Sequence, residues 1–464
     1  MEPRSIAFLV EACGGRLAQG VDTGWFHGVS TDSRQCASGQ AFVALTGDHH
    51  DGHRFLSEVA RSGAAALVVD EGKPVPAQVT GCAVVRVPDT RAALGRLAGV
   101  WRRELALPVI AVAGSNGKTT TKEMLGSVLS QRYRTLRSRA SYNNDVGVPL
   151  TLLALDREHE VAVVEVGTNH PGELAPLLEL IRPGLGVLTS LGREHLEHFG
   201  TVAAVAREEG ALAAALPADG CLFIHGDAPL ADEVIGRARA PVVRVGFGLG
   251  NDWRAEVRQV GLEGVTFTVS GPLPSFAGEF YLPCLGRHQV TNALLAVAVG
   301  ARLGLEADGV RRGLAECPVL PHRMEVRVMD GVCVLDDAYN ANVDSVLAAL
   351  RTLGEIPCAG RRIAVLGEMA ETGVHARSLH AEVGRMAASL AVDLLFAVGP
   401  MALVIGEAAR QAGLGAVQEL DDAEAAAELL ARTARPGDVI LVKASRRARL
   451  ERVSDTLCPR AKAA

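Results

Sequence analysis

The run Val109-Ile110-Ala111-Val112-Ala113 leads directly into Gly114-Ser115-Asn116-Gly117-Lys118-Thr119-Thr120-Thr121-Lys122. Five small or branched apolar residues predict a buried strand. The later periodicity of Met124, Leu125, Val128 and Leu129 predicts a helix. A strand, a glycine loop and a helix in that order cradle phosphate. The loop N–H groups point at an anion and the helix N-terminus adds partial positive charge. Lys118 supplies a full charge, and the Thr119 hydroxyl can ligate the magnesium carried by a nucleotide. A Walker A loop needs a glycine where this chain has Val112, inside the strand, so the loop here is the shorter Gly-x-x-Gly-Lys-Thr. The alternative is a plain strand–turn–helix with a surface lysine. The spacing favours a mononucleotide triphosphate site with its Mg2+, contacted by Gly114, Ser115, Asn116, Gly117, Lys118, Thr119 and Thr120.

A chain of 464 residues divides into several domains. Aromatic residues are only 4% of it, which argues against base stacking, and a net charge of −6 with no long basic run argues against nucleic acid. The nine cysteines are scattered without a C-x-x-C pair, which disfavours a zinc cluster or a disulfide framework. The most apolar run, Leu394 to Gly406, is broken by Gly399-Pro400 and is too short to span a bilayer. No basic, then apolar, leader opens the chain. A cytoplasmic protein without membrane insertion is expected, read as a monomer.

The fold class expected is α/β in three domains. Residues 1–105 read as a small α/β domain, with strand candidates Gln40–Leu45 and Ala64–Val69, a helical segment after Asp51-Gly52-His53, and a helix capped by Asp89. Its polar turn of Ser30, Thr31, Asp32, Ser33 and Arg34 is either a solvated loop or a clamp for a polar or phosphorylated group. Residues 106–320 read as a P-loop-type parallel-sheet nucleotide domain. Strand-like runs recur at Val161–Val166, Leu185–Thr189 and Cys221–His225, a hairpin is appended over Trp253–Val269, and a helix covers His288–Leu303. Residues 321–464 restart the alternation at Gly331–Asp336, Ile363–Gly367, Leu394–Val398 and Val439–Lys443. This predicts a doubly wound, Rossmann-like domain without the G-x-G-x-x-G loop of a NAD site.

Open α/β sheets hold ligands at the C-terminal ends of their strands, and polar clusters fall there. Glu165 closes an apolar strand and is either a magnesium ligand or a salt-bridged strand end. His195 and His198 lie among acids on a glycine-bounded loop, as ligands or as structural side chains. Arg207-Glu208-Glu209 ends an alanine-rich helix and by itself reads as a solvated face. Asp336-Asp337-Ala338-Tyr339-Asn340-Ala341-Asn342 offers acids, a ring and amides for a ribose and a base. Arg323 at the domain junction can reach a phosphate across the cleft. Val442-Lys443-Ala444-Ser445-Arg446 ends the last strand with a cation–hydroxyl–cation set.

Taken together, these segments resemble the Mur ligases of peptidoglycan synthesis. The resemblance is carried by Thr31-Asp32-Ser33-Arg34, by Gly114 to Glu123, by Asn143-Asn144-Asp145-Val146-Gly147-Val148-Pro149-Leu150-Thr151 and by Glu165 to Glu173. It continues through His195-Leu196-Glu197-His198-Phe199-Gly200, Asp336 to Asn342 and Leu366-Gly367-Glu368-Met369. The segments run in family order over nearly the whole chain. They are most similar to the member that joins D-alanyl-D-alanine to UDP-N-acetylmuramoyl-tripeptide. The resemblance implies a uridine-nucleotide binder, an ATPase core and a mobile Rossmann-like domain. It implies a carboxylate activated by ATP as an acyl phosphate and then attacked by an amine. It implies Lys118 on the β/γ-phosphates, Thr119 and Glu165 on one magnesium, and His195 on a second. It places Asn292, with His288 near it, on the adenine side, Tyr339 and Asn340 at the base, Asp337 at the ribose and Arg323 at the phosphates. Ser30 to Arg34 hold the uridine diphosphate end, and Asn143 and Asn144 belong to the substrate site.

Departures from the family pattern are local. Many relatives carry a lysine, converted by carbon dioxide to a carbamate, where this chain has Glu209, and a glutamate is already an anionic oxygen ligand. The junction reads Pro-His-Arg-Met where Pro-Gly-Arg-Leu is usual, Ala444 replaces a common glycine and Ser141 a common asparagine. Two rival readings follow from the same residues: a related ligase adding a single amino acid to a muramyl-peptide, and a P-loop phosphotransferase or nucleotide-driven switch.

Overall fold

The computed structural model describes residues 1–47 and 49–460. Among the described residues the chain builds three larger sheets, of five, nine and six strands. In the first, Val29–Ser30, Ala41–Val43, Ala66–Asp70 and Ala83–Val87 run parallel, and Arg16–Gln19 is antiparallel at the far edge.

The central sheet is organised around Val109–Ala113, buried at all five positions. Val161–Glu165 pairs on one side and Leu185–Leu188 on the other, both parallel. None of these strands alternates apolar with polar residues, as expected when helices cover both faces. The strand order therefore reverses at Val109–Ala113, and the crevice beyond its carboxyl end is where an open α/β sheet takes its ligand. The expected hairpin is there as Trp253–Gly261 and Gly264–Ser270, and a third antiparallel strand, Gly278–Leu282, extends it. The predicted helix covers Arg287–Arg302.

The third sheet orders its strands Glu325–Met329, Val332–Asp336, Val439–Lys443, Arg362–Leu366, Leu394–Val398 and Val417–Leu420. All neighbours are parallel except the first pair. Several strands escaped the sequence reading, among them Arg16–Gln19, Ala83–Val87, Thr135–Arg137, Val242–Gly246, Gly278–Leu282, Glu325–Met329 and Val417–Leu420. Most are short or carry charged or polar residues, which weakens their apolar signal. No described helix is long and apolar enough to cross a membrane.

The helix Thr90–Arg103 joins the first sheet to the central one. Its Trp101 is fully buried in a core shared by both, and the indole N–H donates to the Leu155 carbonyl at 3.0 Å. Trp101→Ala removes the largest buried side chain and leaves that carbonyl unpaired. The expected loss is about 3–5 kcal/mol of stability, read from denaturant unfolding.

Candidate active site

Gly114 and Gly117 open the loop because nothing larger fits. Both have positive φ, +120° and +86°. A Cβ on Gly114 would lie 2.4 Å from the Thr189 hydroxyl, and one on Gly117 2.7 Å from Oδ1 of Asn292. The loop delivers Lys118 and Thr119 to the first turn of the helix Lys118–Leu129. The Lys118 ammonium donates to the Gly114 carbonyl at 2.5 Å and stands 3.6 Å from Oε2 of Glu194. Burial alone would push this ammonium down; Glu194, Glu209 and Glu165 outweigh it and hold it above its ordinary range.

Glu165 is buried at the end of its strand. Its Oε1 accepts from the Thr119 hydroxyl at 3.2 Å and from the Asn143 amide at 2.9 Å. Lys122, also fully buried, donates to the carbonyls of Ser138 and Ala140 at 2.8 and 2.7 Å and so braces the loop behind Glu165.

The solvated-face reading of Arg207-Glu208-Glu209 is wrong for both acids. Glu209 is fully buried beneath the phosphate loop, and its Oε2 accepts from the Gly114 N–H at 2.7 Å. Burial, followed by the neighbouring Glu194, pushes its carboxyl up to about 8. Glu208 turns the other way, accepting from the N–H groups of Gly172 and Leu174 at 2.8 Å, and so caps the helix Leu174–Ile181. The reason is helical geometry: adjacent residues cannot share a face, so one acid caps and the other is buried behind the loop.

His195 sits at positive φ, +47°, its Nδ1 bonded to the Glu371 carboxylate and its Nε2 3.8 Å from Oε2 of Glu194. Around Lys118, among the described residues, three buried carboxylate oxygens have no hydrogen-bond partner: Oε2 of Glu165, Oε1 of Glu194 and Oε1 of Glu209. Buried polar atoms are rarely left unpaired, and a carboxylate oxygen in such a place is a hard-cation ligand in waiting. This donor set of oxygens, with one imidazole, fits magnesium.

The third sheet's strand ends close the site from above. Arg323 donates to the Thr119 hydroxyl at 3.1 Å and lies 4.0 Å over the Tyr339 ring, a cation–π contact. The Tyr339 hydroxyl meets Ser141 at 2.9 Å, and the Asn342 amide donates to Asn116 at 3.0 Å. Lys443 donates to Asp337 at 2.5 Å and to the Asn340 carbonyl at 3.1 Å. Asn292 is buried, donating to Gln289 at 2.8 Å, and burial pushes the neighbouring His288 imidazole down to about 4.

Together these side chains line one cleft of about 1720 Å³. That exceeds the usual volume for a single small ligand and leaves room for a nucleotide and further substrates. Ser115 to Thr120, Asn143, Asn144, Glu165, His195 and Asn292 line it from the central sheet; Arg323, Asp337, Tyr339 and Asn340 line it from the third. Gly114 and Glu209 are not among its lining residues; Glu209 lies buried behind the loop, bonded to the Gly114 N–H. Ser30 to Arg34 are not among its lining residues. That turn is self-paired, Arg34 bonding Asp32 at 2.8 and 2.9 Å, with the arginine side chain 82% exposed.

Sequence reading passed over several partners. Arg193 grips Asp344 at 2.7 and 2.9 Å and Glu382 at 2.8 Å, tying the central sheet to the third. Arg193→Met is expected to favour separation of these parts by about 1–3 kcal/mol. Small-angle scattering without ligand should then give a larger radius of gyration than wild type. His322, Glu325 and Asp336 also cluster like metal ligands. Arginines already satisfy them: Arg327 sits 2.9 Å from Asp336 and Arg460 2.7 Å from Glu325.

Three family models match in order: "Mur ligase family, catalytic domain" over 26–102, "Mur ligase middle domain" over 112–300 and "Mur ligase, glutamate ligase domain" over 322–446. The UDP-N-acetylmuramoyl-tripeptide–D-alanyl-D-alanine ligase of Escherichia coli (strain K12) is 36% identical, covering 97% of each chain.

The chain belongs to the Mur ligase family.

The ligase of the same name from Bacillus subtilis (strain 168) is 34% identical over 92% of each chain. Among solved structures, a MurF from Acinetobacter baumannii superposes with a TM-score of 0.89 at 30% identity, covering 98% of this chain and 99% of that one. The MurF ligase of Thermotoga maritima in complex with ADP gives 0.80 at 26% identity, covering 93% and 97%. The fold is that of a Mur ligase, α/β throughout, with a Rossmann-like C-terminal part.

Proposed function

We propose that this Mur ligase is an ATP-dependent amide ligase that joins D-alanyl-D-alanine to UDP-N-acetylmuramoyl-tripeptide, releasing ADP and phosphate. The observation that carries this reading is Lys118 held among three buried carboxylates under a glycine loop, facing cations from a second sheet. The chemistry needs that arrangement. A carboxylate is a poor acyl donor because oxide is a poor leaving group. A carboxylate oxygen attacking the γ-phosphorus, with ADP leaving, gives an acyl phosphate. The amine of the dipeptide then attacks the carbonyl carbon, and phosphate departs with one former carboxylate oxygen. Carboxylate and triphosphate repel each other, so positive charge must lie between them.

Lys118 holds the β- and γ-phosphates, and Arg323 reaches them from the other side. Thr119 and Glu165 would hold one magnesium, and His195 and Glu209 would hold a second. Such ions would supply positive charge that offsets the phosphates. Glu209 would serve as a ligand without carbon dioxide, as a carboxylate once the cation offsets the burial that raises its carboxyl. Asn292 lies on the adenine side, Tyr339 and Asn340 at the base, and Asp337 at the ribose. Ser30, Thr31, Asp32, Ser33 and Arg34 hold the uridine diphosphate end outside the cleft, with Asn143 and Asn144 further along the same substrate. The three domains are assigned to 1–105, 106–320 and 321–464, each holding one large sheet.

ADP release tests the reading. ATP, magnesium and UDP-muramyl-tripeptide should release ADP with D-alanyl-D-alanine, and at least about tenfold more slowly with D-alanine, L-lysine or diaminopimelate. Faster release with a single amino acid would assign another ligase of the family. Release without any amine would favour a nucleotide-driven switch.

A further inference from the structure

His195 has two ring nitrogens, and they face different domains. Nδ1 is bonded to the carboxylate of Glu371, which the third domain contributes from the loop after Arg362–Leu366. Nε2 lies 3.8 Å from Oε2 of Glu194, whose other oxygen, Oε1, is buried and unpartnered. A ring that donates its Nδ1 proton to a carboxylate presents a lone pair at Nε2. This carboxylate–imidazole pairing fixes the tautomer and orientation of a metal-ligating histidine.

The contact is built from both sides. The Glu371 carbonyl accepts from the Glu197 N–H at 3.0 Å, so both its backbone and its side chain dock on the His195–Glu197 turn. Gly373 would place a Cβ 2.9 Å from Cα of Glu197, so the two segments are in close contact. His195 and Glu371 are both non-glycine residues at positive φ, +47° and +55°. Unfavourable backbone on both faces of one contact persists where the surroundings impose it, commonly at a functional site.

We propose that Glu371 is a positioning residue: it sets the His195 tautomer, so that the second cation position is complete only when the third domain is docked on the central one. The proposal rests on the reading of His195 as a ligand to that cation. It makes cation uptake at His195 a readout of domain docking, so that phosphoryl transfer is licensed only in the assembled cleft.

Mn2+ titration of the full chain in the presence of a non-hydrolysable ATP analogue, followed by electron paramagnetic resonance, tests this. Wild type should take up two Mn2+. Glu371→Ala should weaken the second by about tenfold to a hundredfold and leave the first, at Thr119 and Glu165, unchanged. Glu371→Gln, whose amide oxygen still accepts from Nδ1–H, should recover part of the loss. In a His195→Ala background, Glu371→Ala should have no further effect, because the two act as one unit. Undiminished second-site affinity in Glu371→Ala overturns the proposal. So do additive losses in the double variant, or equal weakening of both Mn2+ sites and the nucleotide, which marks a mere latch. A wild type that takes up a single Mn2+ removes the reading of His195 beneath it.

Discussion

Lys118→Ala is expected to lower kcat for ligation by about 10²–10³-fold, the scale of removing one preorganised charge-stabilising group. The effect is large because Lys118 is the cation that Glu165, Glu194 and Glu209 surround. Its loss would leave buried carboxylates facing an incoming triphosphate with less to offset them. Those carboxylates repel one another, so the variant should also lose stability in the absence of metal. Magnesium should restore the melting temperature while leaving turnover low. That pattern separates a charge role from a folding role. Lys118→Arg keeps the charge but not the compact ammonium that fits 2.5 Å from the Gly114 carbonyl, and should recover little turnover.

Glu209 carries the second large effect. Glu209→Gln keeps an acceptor for the Gly114 N–H and so should fold. It loses an anionic ligand and should turn over about 10²-fold more slowly. Glu209→Lys should be inactive in carbon-dioxide-free buffer and regain activity with bicarbonate, as the lysine forms a carbamate. Wild type should be indifferent to bicarbonate throughout. Bicarbonate dependence in wild type, or full activity in Glu209→Gln, would remove Glu209 from the site.

Much of this was legible in the residues because the information was local. The phosphate loop is written in consecutive positions, Gly114 to Thr121, and the apolar strands on each side carry their burial in their composition. The strand ends that meet at the cleft follow from the general behaviour of open α/β sheets. What was hidden depends on contacts between distant residues. Composition could not separate Glu208 from Glu209, since one caps a helix and the other is buried against the Gly114 N–H only because the helix turns between them. Glu194, Glu371 and the Arg193–Asp344–Glu382 cluster carry no motif; their partners lie in other elements or another sheet. The polar turn at Ser30 was legible as a candidate binder, but its distance from the cleft was not.

The acyl phosphate is the account's central claim, and transfer of oxygen tests it most directly. UDP-muramyl-tripeptide labelled with 18O in its acceptor carboxylate, turned over with ATP, magnesium and D-alanyl-D-alanine, should yield inorganic phosphate carrying one 18O per amide bond formed, read by mass spectrometry. Phosphate free of the label, with amide formation undiminished, would contradict it.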